Sequence, residues 1–225
     1  MSAVQQMQKE ISIDLPSEKI ALQGILTIPK NAKQLIMFAH GSGSGRHSPR
    51  NQFVANFLVK HSLATLLMDL LTPDEEILDN ISRQYRFDIP LLAKRLVGAT
   101  RWLRQNPSTE RLKVGYFGAS TGAAAALIAA AEAGNQVSAV VSRGGRPDLA
   151  APILHKRLPP TLLIVGGDDT DVIELNRKAF ALLLGEKELR IVPGATHLFE
   201  EPGTLEEAAQ LAVDWFISHE GDAIA

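Results

Sequence analysis

Short apolar runs alternate with segments of helical period through almost the whole chain. QLIMFAHG (34–41), LATLLMDLL (63–71), RLKVGYFGAS (111–120), VSAVVSRGG (137–145), PTLLIVGGDD (160–169) and ELRIVPGATH (188–197) each read as a buried strand. The segments between them carry apolar residues at helical spacing. SPRNQFVANFLVKH (48–61) opens on Pro49, and RFDIPLLAKRLVGATRWLRQN (86–106) is expected to be capped by Asp88. TGAAAALIAAAEAG (121–134) stops at Gly134, and DVIELNRKAFALLLG (171–185) and TLEEAAQLAVDWFISH (204–219) complete the set. Thr204 with Glu207, and Asp171 with Glu174, fit capping signals at the last two starts. Six buried strands joined by helices require crossover connections, which predicts an α/β fold: an open, mostly parallel, doubly wound sheet. KEISIDL (9–15) and KIALQGILTIP (19–29) add an antiparallel N-terminal pair.

No repeat, low-complexity tract or linker interrupts this pattern, and 225 residues suffice for one α/β domain. The stretch between VVSRGG and PTLLIV holds one small helix at most, so no large cap domain is expected. LTPDEEILDNISRQY (71–85) has the least defined structure, and any flap over a site is expected from it. A net charge of −2 offers no basic face for nucleic acid or acidic lipid. The absence of cysteine excludes disulfides, thiolate metal sites and a thiol nucleophile. MSAVQQMQKEIS lacks the apolar core of a signal peptide, and no apolar run approaches the roughly 18 residues of a membrane span. A cytoplasmic location is the resulting expectation.

Gly118-Ala119-Ser120-Thr121-Gly122 stands where a strand becomes a helix. In an open α/β sheet, functional groups gather at the carboxyl ends of strands. A sharp strand-to-helix turn exposes the serine hydroxyl and crowds backbone on backbone, which explains the flanking glycines. Serine needs a base. His197 follows the last strand, where a base reaching Ser120 would stand. Asp168 and Asp169, after the preceding strand, both offer an orienting carboxylate, while Asp171 is better placed as a helix cap. The order Ser, Asp, His is that of the α/β-hydrolase arrangement. Oxyanion donors are expected from the Thr121 amide and from the Ser42 amide in His40-Gly41-Ser42-Gly43-Ser44-Gly45, with Gly43 close behind. His40 is expected to hold that loop. No phosphate-loop motif follows the strand.

FAHGSGSGRHSPRN, GASTG, VGGDDTDVIELN and GATHLFEEPG together resemble the dienelactone hydrolase-like branch of the α/β-hydrolases, from about the second strand onward. The nearest likeness is to bacterial members also found fused to phosphoribosyltransferase domains; no such domain is present in this sequence. The resemblance implies Ser120 as nucleophile, His197 as base and, from V-G-G-x-D, Asp169 as the triad acid. Together with the unbroken strand–helix pattern, this leads to the expectation of one α/β-hydrolase domain over residues 1–225. Dienelactone hydrolase proper uses a cysteine, so the lactone substrate does not carry over.

The expected activity is cleavage of a small carboxylic ester or thioester through an acyl-enzyme, with no metal or organic cofactor. Acyl transfer on the same triad, or small-molecule binding without catalysis, are the alternatives. Arg46, Arg50, Arg143 and Arg146 lie just beyond strand ends, so an anionic substrate is a further expectation, with Arg143 and Gly43 as binding residues. His47 and His155 are expected to be surface or loop residues. The sequence does not determine oligomeric state.

Overall fold

Alternation within single strands shows how the sheet is buried. In β3 (Gln34–Ala39), Leu35, Met37 and Ala39 join one apolar cluster, while Ile36 and Phe38 join another on the opposite face. The computed structural model describes residues 6–220. β1 (Gln6–Leu15) and β2 (Ile20–Pro29) form the antiparallel opening pair. The chain continues through β3, α1 (Pro49–Lys60), β4 (Ala64–Met68), α2 (Pro73–Ser82), α3 (Ile89–Gln105), β5 (Lys113–Ala119) and α4 (Thr121–Ala133). It ends with β6 (Val137–Arg143), β7 (Thr161–Gly166), α5 (Thr170–Leu182), β8 (Lys187–Val192) and α6 (Thr204–Ser218). Strand order is β1-β2-β4-β3-β5-β6-β7-β8, with β2 antiparallel to β4 and every later pairing parallel. A short 3₁₀ segment, Pro147–Ile153, fills the stretch after β6.

Leu92, Leu96 and Leu103 of α3, with the alanines of α4, cover one face of the sheet. Val54 and Leu58 of α1, with Ala208, Ala212 and Phe216 of α6, cover the other. The helices after β3 and β5 therefore leave toward opposite faces. Their strands are neighbours, so a crevice opens at the carboxyl ends between them, as expected at a topological switch point.

Several local expectations are corrected. β8 lies at the sheet edge with only Val192 buried, so it is not a doubly covered strand. Gly203, at φ 84°, stands before α6 instead of a Thr204 capping box, and Thr204 Oγ1 donates to the Glu201 carbonyl at 2.7 Å. α5 begins at Thr170, which makes Asp169 the residue before the helix and puts Asp171 inside its first turn. Asp88 does cap α3, accepting from the Leu91 amide at 3.0 Å. Segment 71–85 contains α2, whose capping box pairs Thr72 and Glu75 reciprocally. T-P-x-E with Pro at the first helical position was the signal for it. Arg95, on α3, joins Glu75 of α2 (2.6 Å) to Glu18 of the β1–β2 turn (3.2 Å). No helix among the described residues is long and apolar enough to cross a membrane.

Candidate active site

Ser120 occupies the turn between β5 and α4 at φ 50°, ψ −124°. A non-glycine residue held there costs about 1–3 kcal/mol, so the surroundings must impose it. They do: the Ser120 amide donates to the Arg143 carbonyl (3.4 Å), and the Ser120 carbonyl accepts from the amides of Ala123 (3.1 Å) and Arg146 (3.0 Å). A Cβ on Gly122 would fall on the carbonyls of Ala39 and His40, and one on Gly118 on the backbone of Ala123. Both glycines are thus required by close backbone approach. The alanines that follow let α4 sink against the sheet, fully buried from Ala123 to Leu127.

His197 lies on the loop after β8, where its Nδ1 donates to Asp169 Oδ2 at 2.6 Å. That contact directs the proton to Nδ1 and leaves Nε2 as the acceptor. Asp168 instead contributes its amide, which donates to the Ala195 carbonyl at 2.9 Å and ties the loop after β7 to the His197 loop. Glu201 braces the same loop, accepting the Thr196 amide (3.0 Å) and hydroxyl (2.7 Å). These hydrogen bonds hold its carboxyl below the usual range. Glu201 and Phe199 were not singled out from sequence, although both stand in the GATHLFEEPG stretch that carries the resemblance.

Ser120, His197, Arg143 and the Gly41–Ser42 backbone line one cavity of about 240 Å³. No hydrogen bond joins Ser120 Oγ to His197 among the described residues; such contacts commonly tighten only with substrate bound. The loop after β3 packs against the Ser120 turn, since a Cβ on Gly41 would stand 3.0 Å from Ser120 Cβ. The Ser42 amide points at this turn but donates to Thr121 Oγ1 at 3.1 Å. Thr121, first in α4, has an amide with no intrahelical acceptor. Gly43, at φ 69°, was expected to bind substrate but does not line this cavity; it lines a smaller neighbouring one of about 80 Å³, while Ser44 and Ser48 after it return to the larger. α2 borders that smaller space through Glu76, Asp79 and Asn80. Segment 71–85, from which any flap was expected, stands beside the loop after β3 and lines none of the larger cavity. Asp79 anchors it there. Burial alone would raise the Asp79 carboxyl, but bonds from the Arg86 amide and guanidinium and from the Tyr85 amide outweigh that and lower it.

His40 holds the loop. Its Nδ1 donates to the Gly41 carbonyl (2.9 Å) and its Nε2 accepts the Leu70 amide (3.1 Å). Burial pushes its imidazole below the ordinary value, against the Gly41 carbonyl and the charges of Asp69 and Glu76. A neutral ring with both nitrogens occupied is structural. His47 and His155 are exposed.

The four arginines near the strand ends separate sharply. Arg46 pairs with Asp69 through both its amide and its guanidinium. Arg146 grips Asp148 with Nε and Nη2, at 2.8 and 2.7 Å. Arg50 meets Glu200 at 3.2 Å. Arg143 alone has no ion pair among the described residues and lies 5.7 Å from the Phe199 ring centroid. Burial first, and the charge of Arg50 second, bring its guanidinium down to about 10, so it remains a cation at neutral pH.

No family model matches the chain. Among solved structures, a dienelactone hydrolase from Anabaena variabilis is 55% identical, with a TM-score of 0.93 over 96% of this chain and 100% of that one. An esterase from Pyrococcus furiosus is 16% identical, with a TM-score of 0.78 over 96% of this chain and 92% of its own, a likeness of fold alone. Two Mycobacterium tuberculosis proteins provisionally named phosphoribosyl transferases are 54% identical over 211 residues. Those residues are 94% of this chain and 47% of each relative, so the chain spans about half the length of the curated relatives it matches. Likeness to the Anabaena protein runs over nearly the whole of both chains, and on that ground the chain belongs to the dienelactone hydrolase family of α/β-hydrolases.

Proposed function

We propose that this protein hydrolyses a small carboxylic ester or thioester, with Ser120 as nucleophile, His197 as general base and Asp169 as its orienting carboxylate. The observation that carries the reading is the His197–Asp169 hydrogen bond of 2.6 Å, which leaves Nε2 as acceptor beside a strained serine turn in one cavity. Ser120 Oγ attacks the carbonyl carbon while its proton passes to His197 Nε2. The imidazolium then protonates the leaving oxygen or sulfur, and Asp169 stabilises its charge. Water, deprotonated by the same nitrogen, attacks the acyl carbonyl and releases Ser120. The Thr121 amide is the ready oxyanion donor. The Ser42 amide becomes the second when the Thr121 hydroxyl turns away from it. One such donor is worth about 10²–10³ in rate.

Cavity size supports a small substrate. The cavity measures about 240 Å³. The dienelactone hydrolase name of the Anabaena relative supports hydrolytic chemistry, but the absence of any cysteine in this chain makes the nucleophile an oxygen. The test is covalent labelling by a serine-directed phosphonate, followed by peptide mapping, with turnover of a chromogenic short-chain ester. Label on Ser120 together with loss of turnover is expected. Label elsewhere, or turnover that survives Ser120→Ala, overturns the assignment. Product analysis with added alcohols separates hydrolysis from acyl transfer.

A further inference from the structure

α1 turns one face inward, and helical spacing puts Asn51, Val54, Ala55 and Leu58 on it. The last three are apolar, as a helix packed on a sheet requires. The first is a carboxamide, 3% exposed, whose Oδ1 has no hydrogen-bond partner. A buried acceptor left unpaired is destabilising, and a leucine at that position would avoid the cost. Asn176, buried as deeply, shows what the fold does with an asparagine it needs for structure: its Nδ2 donates to the carbonyls of Gly145 (3.0 Å) and Val172 (2.8 Å). Both asparagines leave Oδ1 unpaired, but Asn51 borders the cavity that contains Ser120 and His197.

Ser48 lines the same cavity, about one turn before Asn51. It is the residue before α1, and its hydroxyl makes no capping bond to the helix. A neutral hydroxyl and a neutral carboxamide thus border the cavity from neighbouring positions. The chemistry of their ligand follows. Asn51 Oδ1 accepts, so it repels a carboxylate and calls for a donor, while the Ser48 hydroxyl donates or accepts. A substrate hydroxyl serves both, since it can give its proton to Oδ1 and accept one from Ser48. With the carboxamide turned about, it accepts from Nδ2 instead, so it fits Asn51 in either orientation. An alkyl group serves neither residue.

We infer that the substrate of this site carries a hydroxyl group that seats on Asn51 beside Ser48, making the protein selective for short hydroxylated esters over their deoxy counterparts. The inference rests on the serine hydrolase reading and adds the group that selects the substrate. One cavity of about 240 Å³ is lined by Asn51 and Ser120 together, so the hydroxyl stands within a few bonds of the scissile carbonyl.

The hydroxyl can belong to the acid or to the alcohol part of the ester, and two substrate series distinguish these. One compares β-hydroxybutyrate with isovalerate, in which a methyl replaces the hydroxyl, as esters of the same chromogenic alcohol. The other compares the monobutyrate of ethylene glycol with propyl butyrate, followed by acid release. Wild type is expected to prefer the hydroxylated member of one series by about 5- to 100-fold in kcat/KM, the scale set by leaving a buried acceptor unpaired. Asn51→Leu is expected to bring that ratio to near unity while keeping turnover of the deoxy ester, and Ser48→Ala to lower it about threefold. Melting supplies a readout that does not depend on turnover. Asn51→Leu without ligand should melt at or above wild type, since it exchanges an unpaired buried carboxamide for an apolar group of similar shape. A marked drop in its Tm would make Asn51 a structural tie and overturn the inference. So would the absence of a hydroxyl preference in both series, or a preference unchanged in both Asn51→Leu and Ser48→Ala. Ser120 labelling keeps this failure apart from that of the reading beneath it. An enzyme that labels and cleaves deoxy esters equally well sinks the hydroxyl seat alone. One that neither labels nor turns over sinks the hydrolase reading, and the seat with it.

Discussion

Among the described residues, Ser-His-carboxylate groupings occur in two places, and the proposed function assigns chemistry to one of them. At the end of α6, Ser218 Oγ stands 3.0 Å from His219 Nδ1, and His219 Nε2 stands 3.0 Å from Glu186. By distance alone this rivals Ser120, His197 and Asp169. The Trp215 carbonyl decides otherwise: it lies 2.7 Å from His219 Nδ1 and accepts the Ser218 hydroxyl at 2.9 Å. The Ser218 hydroxyl and His219 Nδ1 are thus both turned to one backbone carbonyl, so the serine's proton is directed to that carbonyl and not to the ring. Ser218 sits in an ordinary last turn of helix, where a histidine beside the carbonyls complements the helix dipole. Its carboxylate is 64% exposed, whereas Asp169 is 14% exposed. A serine becomes a nucleophile through a strained turn, an acceptor nitrogen and unused amides together, and proximity to histidine supplies none of these.

The sharpest way to break this comparison is to remove each serine. Ser120→Ala should lower ester turnover by more than about 10³-fold and abolish phosphonate labelling, while Ser218→Ala should stay within about threefold of wild type. Steady-state kinetics and intact mass measure both. Next come the carboxylates. Asp169→Asn should cost about 10²–10⁴ in kcat, because an amide no longer enforces the tautomer; Glu186→Gln should leave kcat alone. Reversal of either contrast would move the site to the end of α6.

Smaller effects sharpen the picture of what positions His197. Glu201→Gln weakens the brace on Thr196 and should lower kcat several-fold while folding is retained. Its pH dependence follows from the lowered carboxyl. The wild-type advantage in Tm is full above the ordinary glutamate range and is lost as pH falls through the lowered folded-state value, so the two melting curves should converge in acid. Smallest of all in its effect on kinetics, His219→Ala should leave kcat and KM unchanged while lowering Tm by a few degrees, since it removes the helix-end contact together with the ring's packing on Trp215 and its contact with Glu186.

Much of the fold was legible because its signals are local. Period and apolar run length mark β3 to β7, and Pro49, Asp88 and Gly134 act within a turn of where they stand. Misreadings arose where a local signal had a tertiary competitor. Thr204 carries capping chemistry, yet the loop bracing His197 brings Glu201 to its hydroxyl and leaves Gly203 at the helix start. Asp171 could cap a helix, but α5 starts one residue after Asp169, whose side chain is taken by His197. β8 reads as buried, but edge position leaves Arg190 and Ile191 exposed.

By itself the sequence determined the alternation of layers and the glycine-flanked serine at a strand end. Both follow from periodicity and from backbone crowding within a few residues. Which arginine keeps its charge unmatched, and which histidine keeps a free nitrogen, only the tertiary structure decided. Arg46 finds its carboxylate 23 residues away, Arg50 finds one 150 residues away, and Arg143 finds none among the described residues. Ion pairing and burial are properties of what the fold brings alongside a side chain, and no local pattern encodes them.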